Sequence, residues 1–397
     1  MSIQTIIRTL EFKLYLNDEQ EVTLTRWLGK CCWIFNNTLA QRIKAYQRRE
    51  ESIGFNQQCA WLTGLRERIE SVRLVPLAFE RDALRRVDRG MKAFFRRCKA
   101  GAKKKGFPRF KPGRRYNSLE QLGEREYVKA GKIQIPKLGA VRARGRFEDV
   151  TGKQKALRVL RRPSGWYAQI VVETPTPELL PATGQDCGID LGLERFATLD
   201  SGESFPNPRL LRKATSKLSR EQRRLARCTK GSQRRVKARE RVAKLHERVA
   251  RQRRGHAHRA ARSIVNRFDR IAVEKLNVKG LAAGMLAKSV NDAGWGIFLK
   301  VLSEKAESAA RLIVEVNPAG SSQTCPRCGA VARKELSERI HRCQGCDFEC
   351  HRDVAAAMVI RQRAFRPACV EGPATTSEGT RWQADPLKRK VAVVATQ

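Results

Sequence analysis

Two short motifs, CPRC at Cys325–Cys328 and CQGC at Cys343–Cys346, constrain the architecture more than any other stretch of the chain. Each C-x-x-C pair can place two thiolates about a tetrahedral zinc ion. The fourteen residues between the pairs fold back as a hairpin to bring the pairs together. With Cys325, Cys328, Cys343 and Cys346 all engaged, one Zn²⁺ has no vacant position for catalysis, so the cluster reads as a structural zinc ribbon. A redox role would need one C-x-x-C beside a thioredoxin-like βαβ unit, and none is present. Cys350 and His341 lie close enough in sequence to be spare ligand candidates. Cys31, Cys32, Cys59, Cys98, Cys187, Cys228 and Cys369 are scattered through apolar or basic context and read as structural thiols. The opening MSIQTIIRTLEFKLYL has neither the h-region nor the cleavage site of a signal peptide. A reducing, cytoplasmic setting in a prokaryotic cell, on nucleoid DNA, is the expectation.

Charge decides the partner. The 397 residues include 81 Lys and Arg against 40 Asp and Glu, a formal charge of +41. A surplus of that size calls for a polyanion, and nucleic acid is the one at hand. No apolar run approaches the ~20 residues that would span a bilayer, so no membrane partner is expected. A hydrophobic content of 41% argues against a disordered basic chain. The densest basic segment runs from Arg209 to Arg254 and has apolar spacing for two helices broken near Gly231. So one-sided a segment repels itself unless a polyanion lies along it. Its Arg223, Arg224, Arg227, Arg234 and Arg235 are candidate phosphate contacts, as are Arg109 and Lys111 in the loop GAKKKGFPRFKPGRR.

Periodicity supplies the outline of an α+β multidomain chain. Leu10, Phe12, Leu14 and Leu16 alternate as in a strand, and Asn17 and Asp18 offer cap chemistry for a helix. A helical stripe follows through Leu24, Trp27, Leu28, Cys31, Phe35, Leu39 and Ile43, and a second helix spans about Leu77 to Lys99. These helices form a recognition lobe over 17–104. It interrupts a small β-barrel built from 1–16 and 105–180, whose last hairpin turns at Pro163, Ser164 and Gly165. Apolar strands CGIDLG, RFATLD and DRIAVEKL, a helix in GWGIFLKVLSEKAESAARL and the strand RLIVEV make a third region over 184–319. It resumes at 351–365 after the cysteine segment 320–350, and 366–397 reads as a loose tail.

Three acids stand out against this basic background. Asp190 lies inside CGIDLG, Glu274 closes IAVE, and Asp353 opens a helix where the dipole favours a carboxylate. Taken singly, an N-cap or a strand-end surface acid explains each. Together they have the layout that would hold two Mg²⁺ ions ~4 Å apart for phosphodiester hydrolysis.

The ordered run GIDLGLERFATLDSGE, IAVEKLNVKGL, NDAGWGIFLKVLSEKA, NPAGSSQTCPRCG and CQGCDFECHRDVAAAMVI resembles the TnpB family. These are transposon-encoded RNA-guided DNA endonucleases related to small type V CRISPR effectors. LGKCCWIFNNTLAQRIKAY, GFPRFK and QIPKLGAVRARG extend the resemblance into the N-terminal half. It implies a wedge barrel with an inserted recognition lobe. It also implies a RuvC-like nuclease domain of the ribonuclease H fold, split by the zinc ribbon, with Asp190, Glu274 and Asp353 as catalytic acids. Guide RNA and target DNA would be the partners, a monomeric ribonucleoprotein the working form, and base pairing the source of sequence choice. Arg352 would be available to the scissile phosphate. The chain departs from the family where D-x-N-A-A-x-N is common: Ala355 and Val359 replace the asparagines, and His351 stands where an acid is frequent. Three other readings remain: a compact CRISPR effector, a catalytically silent guided DNA binder, and a nonspecific RNA-binding protein with a zinc ribbon.

Overall fold

A computed structural model describes residues 5–175, 180–335 and 338–365; the expected tail at 366–397 lies outside them. The chain divides into two units between Thr176 and Pro177.

The first unit opens with β1 (Thr5–Tyr15), which buries Phe12 and Leu14 on one face. Asn17 then starts α1 (Asp18–Arg49) with a reciprocal cap: Gln20 N–H donates to Asn17 Oδ1 at 2.8 Å and Asn17 N–H to Gln20 Oε1 at 3.2 Å. Two further helices, α2 (Phe55–Arg68) and α3 (Glu70–Arg73), precede α4 (Leu77–Lys99). The sequence pattern does not announce α2, because its apolar residues form no clean stripe and only Gln58 and Leu62 are fully buried. Six more strands follow: β2 (Ser118–Leu122), β3 (Val128–Lys129), β4 (Lys132–Ile135), β5 (Gly139–Arg144), β6 (Lys153–Arg162) and β7 (Gly165–Pro175).

Their order is β2-β6-β7-β1-β5-β4-β3, with β1 paired antiparallel to both β7 and β5. The expected closed barrel is therefore a curled, open half-barrel, since β2 and β3 end the sheet without pairing to each other. With two residues, β3 offers too short an edge for closure. The helices share the sheet's core: Trp27 and Phe79 of the lobe and Phe12 and Ile170 of the sheet belong to one buried cluster.

In the second unit, β8 (Asp186–Asp190), β9 (Arg195–Leu199) and β10 (Ser204–Pro206) form an antiparallel meander. The basic pair α5 (Leu210–Ala226) and α6 (Gln233–Val265) follows, and then β11 (Arg270–Glu274). Next come α7 (Val278–Leu281), α8 (Ala287–Ala293), α9 (Trp295–Ser308) and β12 (Leu312–Val316). The hairpin β13 (Ile340–Arg342) and β14 (Glu349–His351) leads directly into α10 (Arg352–Phe365). The five-stranded sheet runs β10-β9-β8-β11-β12, with β8, β11 and β12 parallel.

Parallel strands covered on both faces read as continuous apolar runs, and period-2 alternation sorts their side chains. Cys187, Ile189, Ile271 and Val273 enter the core shared with α6 and α9. Ala272 packs instead with Val316 and Ile360, on the α10 side. By the same alternation Gly188, Asp190 and Glu274 face α10. Gly188 is needed there: a Cβ on it would lie 2.0 Å from the Ala357 carbonyl oxygen and 2.8 Å from the Arg361 amide nitrogen.

Candidate nuclease and metal sites

The pairing of β8 with β11 matches Ile189 to Val273, so Asp190 and Glu274 each lie one residue past the last matched pair, at the same height and on the same face. Asp353 reaches this place from the first turn of α10; its Oδ2 lies 3.9 Å from where a Cβ on Gly192 would be, just beyond β8. Ala357, one helical turn later, is the residue pressed on Gly188, so one close approach sets the position of all three acids.

The electrostatics agree with this convergence. Burial, then the charges of Glu274 and Asp353, push the Asp190 carboxyl up to about 8, with Arg352 pulling the other way. Burial also raises Glu274, opposed by the Ser321 hydroxyl that donates to its Oε1 and by the charge of Arg363. Asp353 N–H donates to His351 Nδ1 at 3.3 Å, and the same nitrogen lies 3.9 Å from Asp353 Oδ2. Ala355 and Val359 are 0% and 3% exposed. They fill apolar space under α10, so no asparagine amide orients Asp353. Glu274 and Asp353 are thus near enough for their charges to act on Asp190, and carboxylate oxygens are donors of the kind a hard divalent cation takes.

The four cysteines form a tighter set. Cys325 Sγ lies 3.6 Å from Cys346 Sγ, Cys328 Sγ lies 3.5 Å from Cys343 Sγ, and all four lie within 4.8 Å of one another. A ZnS₄ tetrahedron with ~2.3 Å bonds has sulfur–sulfur edges of about 3.8 Å, so the set can hold a metal ion. No other group of three or more His, Cys, Asp and Glu closes to that distance among the described residues, the three acids included. The first knuckle turns at Gly329, with Gly329 N–H donating to Cys325 O at 3.0 Å. The second sits at the tip of β13 and β14, where Cys343 N–H donates to Phe348 O at 3.0 Å.

The Gly345 N–H aimed at Cys343 Sγ lowers that thiol to about 7, while desolvation drives Cys346 up to about 12. A cation among the four sulfurs would offset the charge of four thiolates held this close. Of the spare candidates, Cys350 Sγ donates to His351 O, whereas buried His341 lies against the cluster, where it helps depress Cys325 while its Nδ1 meets Lys334.

The candidate phosphate contacts divide by what already holds them. Arg223, Arg224, Arg227 and Arg234, joined by Arg220, line a cleft of about 670 Å³ where α5 turns into α6. Arg235 instead donates to Leu225 O at 3.1 Å and Cys228 O at 2.8 Å, closing the C-terminus of α5. Arg109 is exposed, whereas Lys111 sits over the Phe35 ring at 4.6 Å. Arg352 donates to Glu335 O at 2.9 Å and so ties the cysteine segment to α10.

Two supports of these sites lay beyond the sequence reading. Ser321, the partner of Glu274, carries no signal besides its place in NPAGSSQTC. Asp292 caps a helix 81 residues away: Leu211 N–H and Arg212 N–H donate to it at 2.7 and 3.0 Å, and Arg253 at 2.9 Å. It replaces the missing side-chain cap at Arg209.

Three acids facing one another across a mixed sheet and a helix start, a four-cysteine cluster that could hold a metal ion, and a basic helical pair fit a nucleic-acid-binding class of protein. Comparison with known proteins makes this specific. Residues 169–284 match a family profile described as "Probable transposase", and residues 295–360 match one described as "Cas12f1-like, TNB domain". Residues 1–51 match a "Helix-turn-helix domain", although the described residues among them form a strand and one 32-residue helix.

The chain is 28% identical over 374 residues to "Putative RNA-guided DNA endonuclease InsQ" of Escherichia coli K12, covering 89% of this chain and 91% of that one. It is 27% identical over 402 residues to a "Putative RNA-guided DNA endonuclease" of Streptomyces pristinaespiralis, covering 98% and 97%. A solved CRISPR-Cas12f ternary complex overlaps 86% of this chain and 82% of that chain at 14% identity and a TM-score of 0.37, too loose an overlap to define the fold. In these profiles and relatives the chain is similar to RNA-guided DNA endonucleases of the TnpB/Cas12f type.

Proposed function

We propose that this protein is a transposon-encoded RNA-guided endonuclease that cuts target DNA beside a short flanking motif. The observation that carries the reading is the placement of Asp190 and Glu274 at equal height on neighbouring parallel strands, facing the start of α10 where Asp353 sits. In this reading 184–319 and 351–365 form a RuvC-like nuclease domain and 320–350 its zinc ribbon. The half-barrel (1–16 and 105–180) is the wedge, and the helices of 17–104 are the recognition lobe.

Asp190, Glu274 and Asp353 would hold two Mg²⁺, and the cysteines one Zn²⁺. Magnesium held by these carboxylates would supply activation of a water and stabilisation of the leaving oxygen of the phosphodiester. The chain's own part is to fix three carboxylates on two strands and a helix start and to exclude water beneath them with Ala355 and Val359. The arginine cleft of α5 and α6 would grip phosphates of the guide or of the heteroduplex. No helix among the described residues is long and apolar enough to cross a membrane, and a prokaryotic cytoplasmic ribonucleoprotein acting on nucleoid DNA fits this reading.

The test is to sequence the RNA that co-purifies from cells carrying the native locus. One structured species ending in locus-adjacent sequence supports the proposal; a random mixture of cellular RNA refutes it.

A further inference from the structure

Three phenylalanines of the first unit stand in water. Phe95, Phe107 and Phe110 are 56%, 44% and 55% exposed, and among the described residues these are the only phenylalanines exposed to that degree. They belong to one place: the C-terminal end of α4 and the loop that follows it. Phe94 makes the link, with Phe95 at 5.3 Å and, edge to face, Phe107 at 5.0 Å between ring centroids.

The loop is anchored at several points along its length. Arg97 donates to the carbonyls of Lys105 (2.5 Å) and Gly106 (2.8 Å). Pro108 packs on Gly90 of α4. The Asn36 side chain clamps the Lys111 backbone from both sides, accepting from its N–H and donating to its carbonyl, each at 2.9 Å. So much anchoring does not bury the rings; it holds them outward. Lys103, Lys104, Lys105 and Arg109 flank them, all exposed.

Single exposed apolar side chains need no explanation, but three exposed aromatic faces along one anchored segment, framed by cations, do. Rigid rings stack on unpaired bases without paying the entropy of ordering a loop. Neighbouring ammonium and guanidinium groups take the phosphates. We infer that the 103–111 loop and the end of α4 form a stacking platform for unpaired bases of the bound guide RNA. RNA is the occupant because Lys103, Lys104, Lys105 and Arg109 frame the rings with positive charge and, in the proposed reading, RNA is the polyanion resident on the chain. A resident RNA covers the rings continuously, whereas target DNA arrives only in passing. Sequence-tolerant stacking of splayed bases is also the usual way in which proteins hold single-stranded RNA. The inference rests on the proposed RNA-guided function and adds a location and a contact chemistry to it.

The experiment titrates the full chain, freed of co-purified RNA by high salt, with an unstructured single-stranded RNA at several salt concentrations. Phe110→Ala should weaken binding roughly 5- to 150-fold at every salt concentration, with the slope of log affinity against log salt unchanged. Phe110→Trp should restore binding and Phe110→Leu should not. A Lys103→Gln, Lys104→Gln, Lys105→Gln triple variant should instead flatten the slope by about 2.

Phe107→Ala removes a ring that also packs on Phe94, so Phe110, which needs no such packing, is the deciding position. Unchanged affinity in Phe110→Ala, or full rescue by leucine, overturns the stacking inference and leaves RNA guidance standing. An effect seen with single-stranded DNA and not with RNA also overturns it. If the wild type binds no RNA, both this inference and the proposed function fall.

Discussion

Gly188→Ala tests how the three acids are brought together. The added methyl would sit 2.0 Å from Ala357 O, while real Cβ atoms keep at least 3.0 Å from such neighbours, so α10 must retreat by about 1 Å. The obstructing atoms are helix backbone, so trimming Ala357 to glycine offers no relief. Overpacking of this kind costs about 1–3 kcal/mol of stability. The larger effect is on geometry, because Asp353 rides on α10 while Asp190 and Glu274 stay with the sheet. A displacement of ~1 Å in a reacting constellation lowers rates by about 100-fold. The assay is single-turnover cleavage of a matched target by the ribonucleoprotein in Mg²⁺. RNA affinity and zinc content, which depend on other residues, should stay at wild-type values. Wild-type cleavage by the glycine-to-alanine variant, with an unchanged melting curve, would refute the seating of α10 on β8.

Other expectations follow from the same geometry. Cys328→Ser removes one corner of the sulfur tetrahedron, and elemental analysis should fall from about one zinc per chain to well below it, with a lower melting temperature; full occupancy would remove the assignment. Replacing Arg223, Arg224 and Arg227 with Gln should weaken RNA or heteroduplex binding and flatten its log–log salt slope by about 2–3, since each phosphate contact contributes ~0.7–0.9; an unchanged slope would mean that the cleft faces solvent. Asp292→Ala leaves two amides of α5 and the Arg253 guanidinium without their acceptor. Hydrogen exchange at the start of α5 should speed up as roughly 2 kcal/mol of local stability is lost. Burial works against the Asp292 charge, but the Leu211, Arg253 and Arg212 donors outweigh it and hold the carboxyl below its ordinary value. Its contribution is therefore complete above the unfolded value near 3.8 and disappears as pH falls through the lower folded value; exchange at α5 that is insensitive to acid would contradict this.

Local chemistry made some of this legible in advance. The cysteine spacing fixed which four thiols meet, because a C-x-x-C step carries its own geometry. The apolar runs around Asp190 and Glu274 marked strands buried on both faces, where a carboxylate is conspicuous. Features made by distant residues were not legible. Closure of the first sheet depended on whether a two-residue strand could pair with Ser118–Leu122, which no local pattern states. Gly188 looked like any strand glycine until Ala357 was placed on it. Asp292 caps a helix whose own Arg209 gives no hint of a partner. Arg235, Lys111 and Arg352 looked like free cations, yet their carbonyl and ring partners lie on other turns and loops.

The central claim is that Asp190, Glu274 and Asp353 form one metal-dependent nuclease site served by a guide RNA. The most direct measurement is a cleavage time course with wild-type and Asp190→Ala ribonucleoproteins on matched and mismatched DNA, with binding followed in parallel. The account predicts Mg²⁺-dependent cutting of matched DNA by the wild type, slowed by the loosely oriented Asp353. Asp190→Ala should bind the target equally well and cut nothing. Tight guided binding with no cut by the wild type in either Mg²⁺ or Mn²⁺ would contradict it and identify the protein as a silent guided binder.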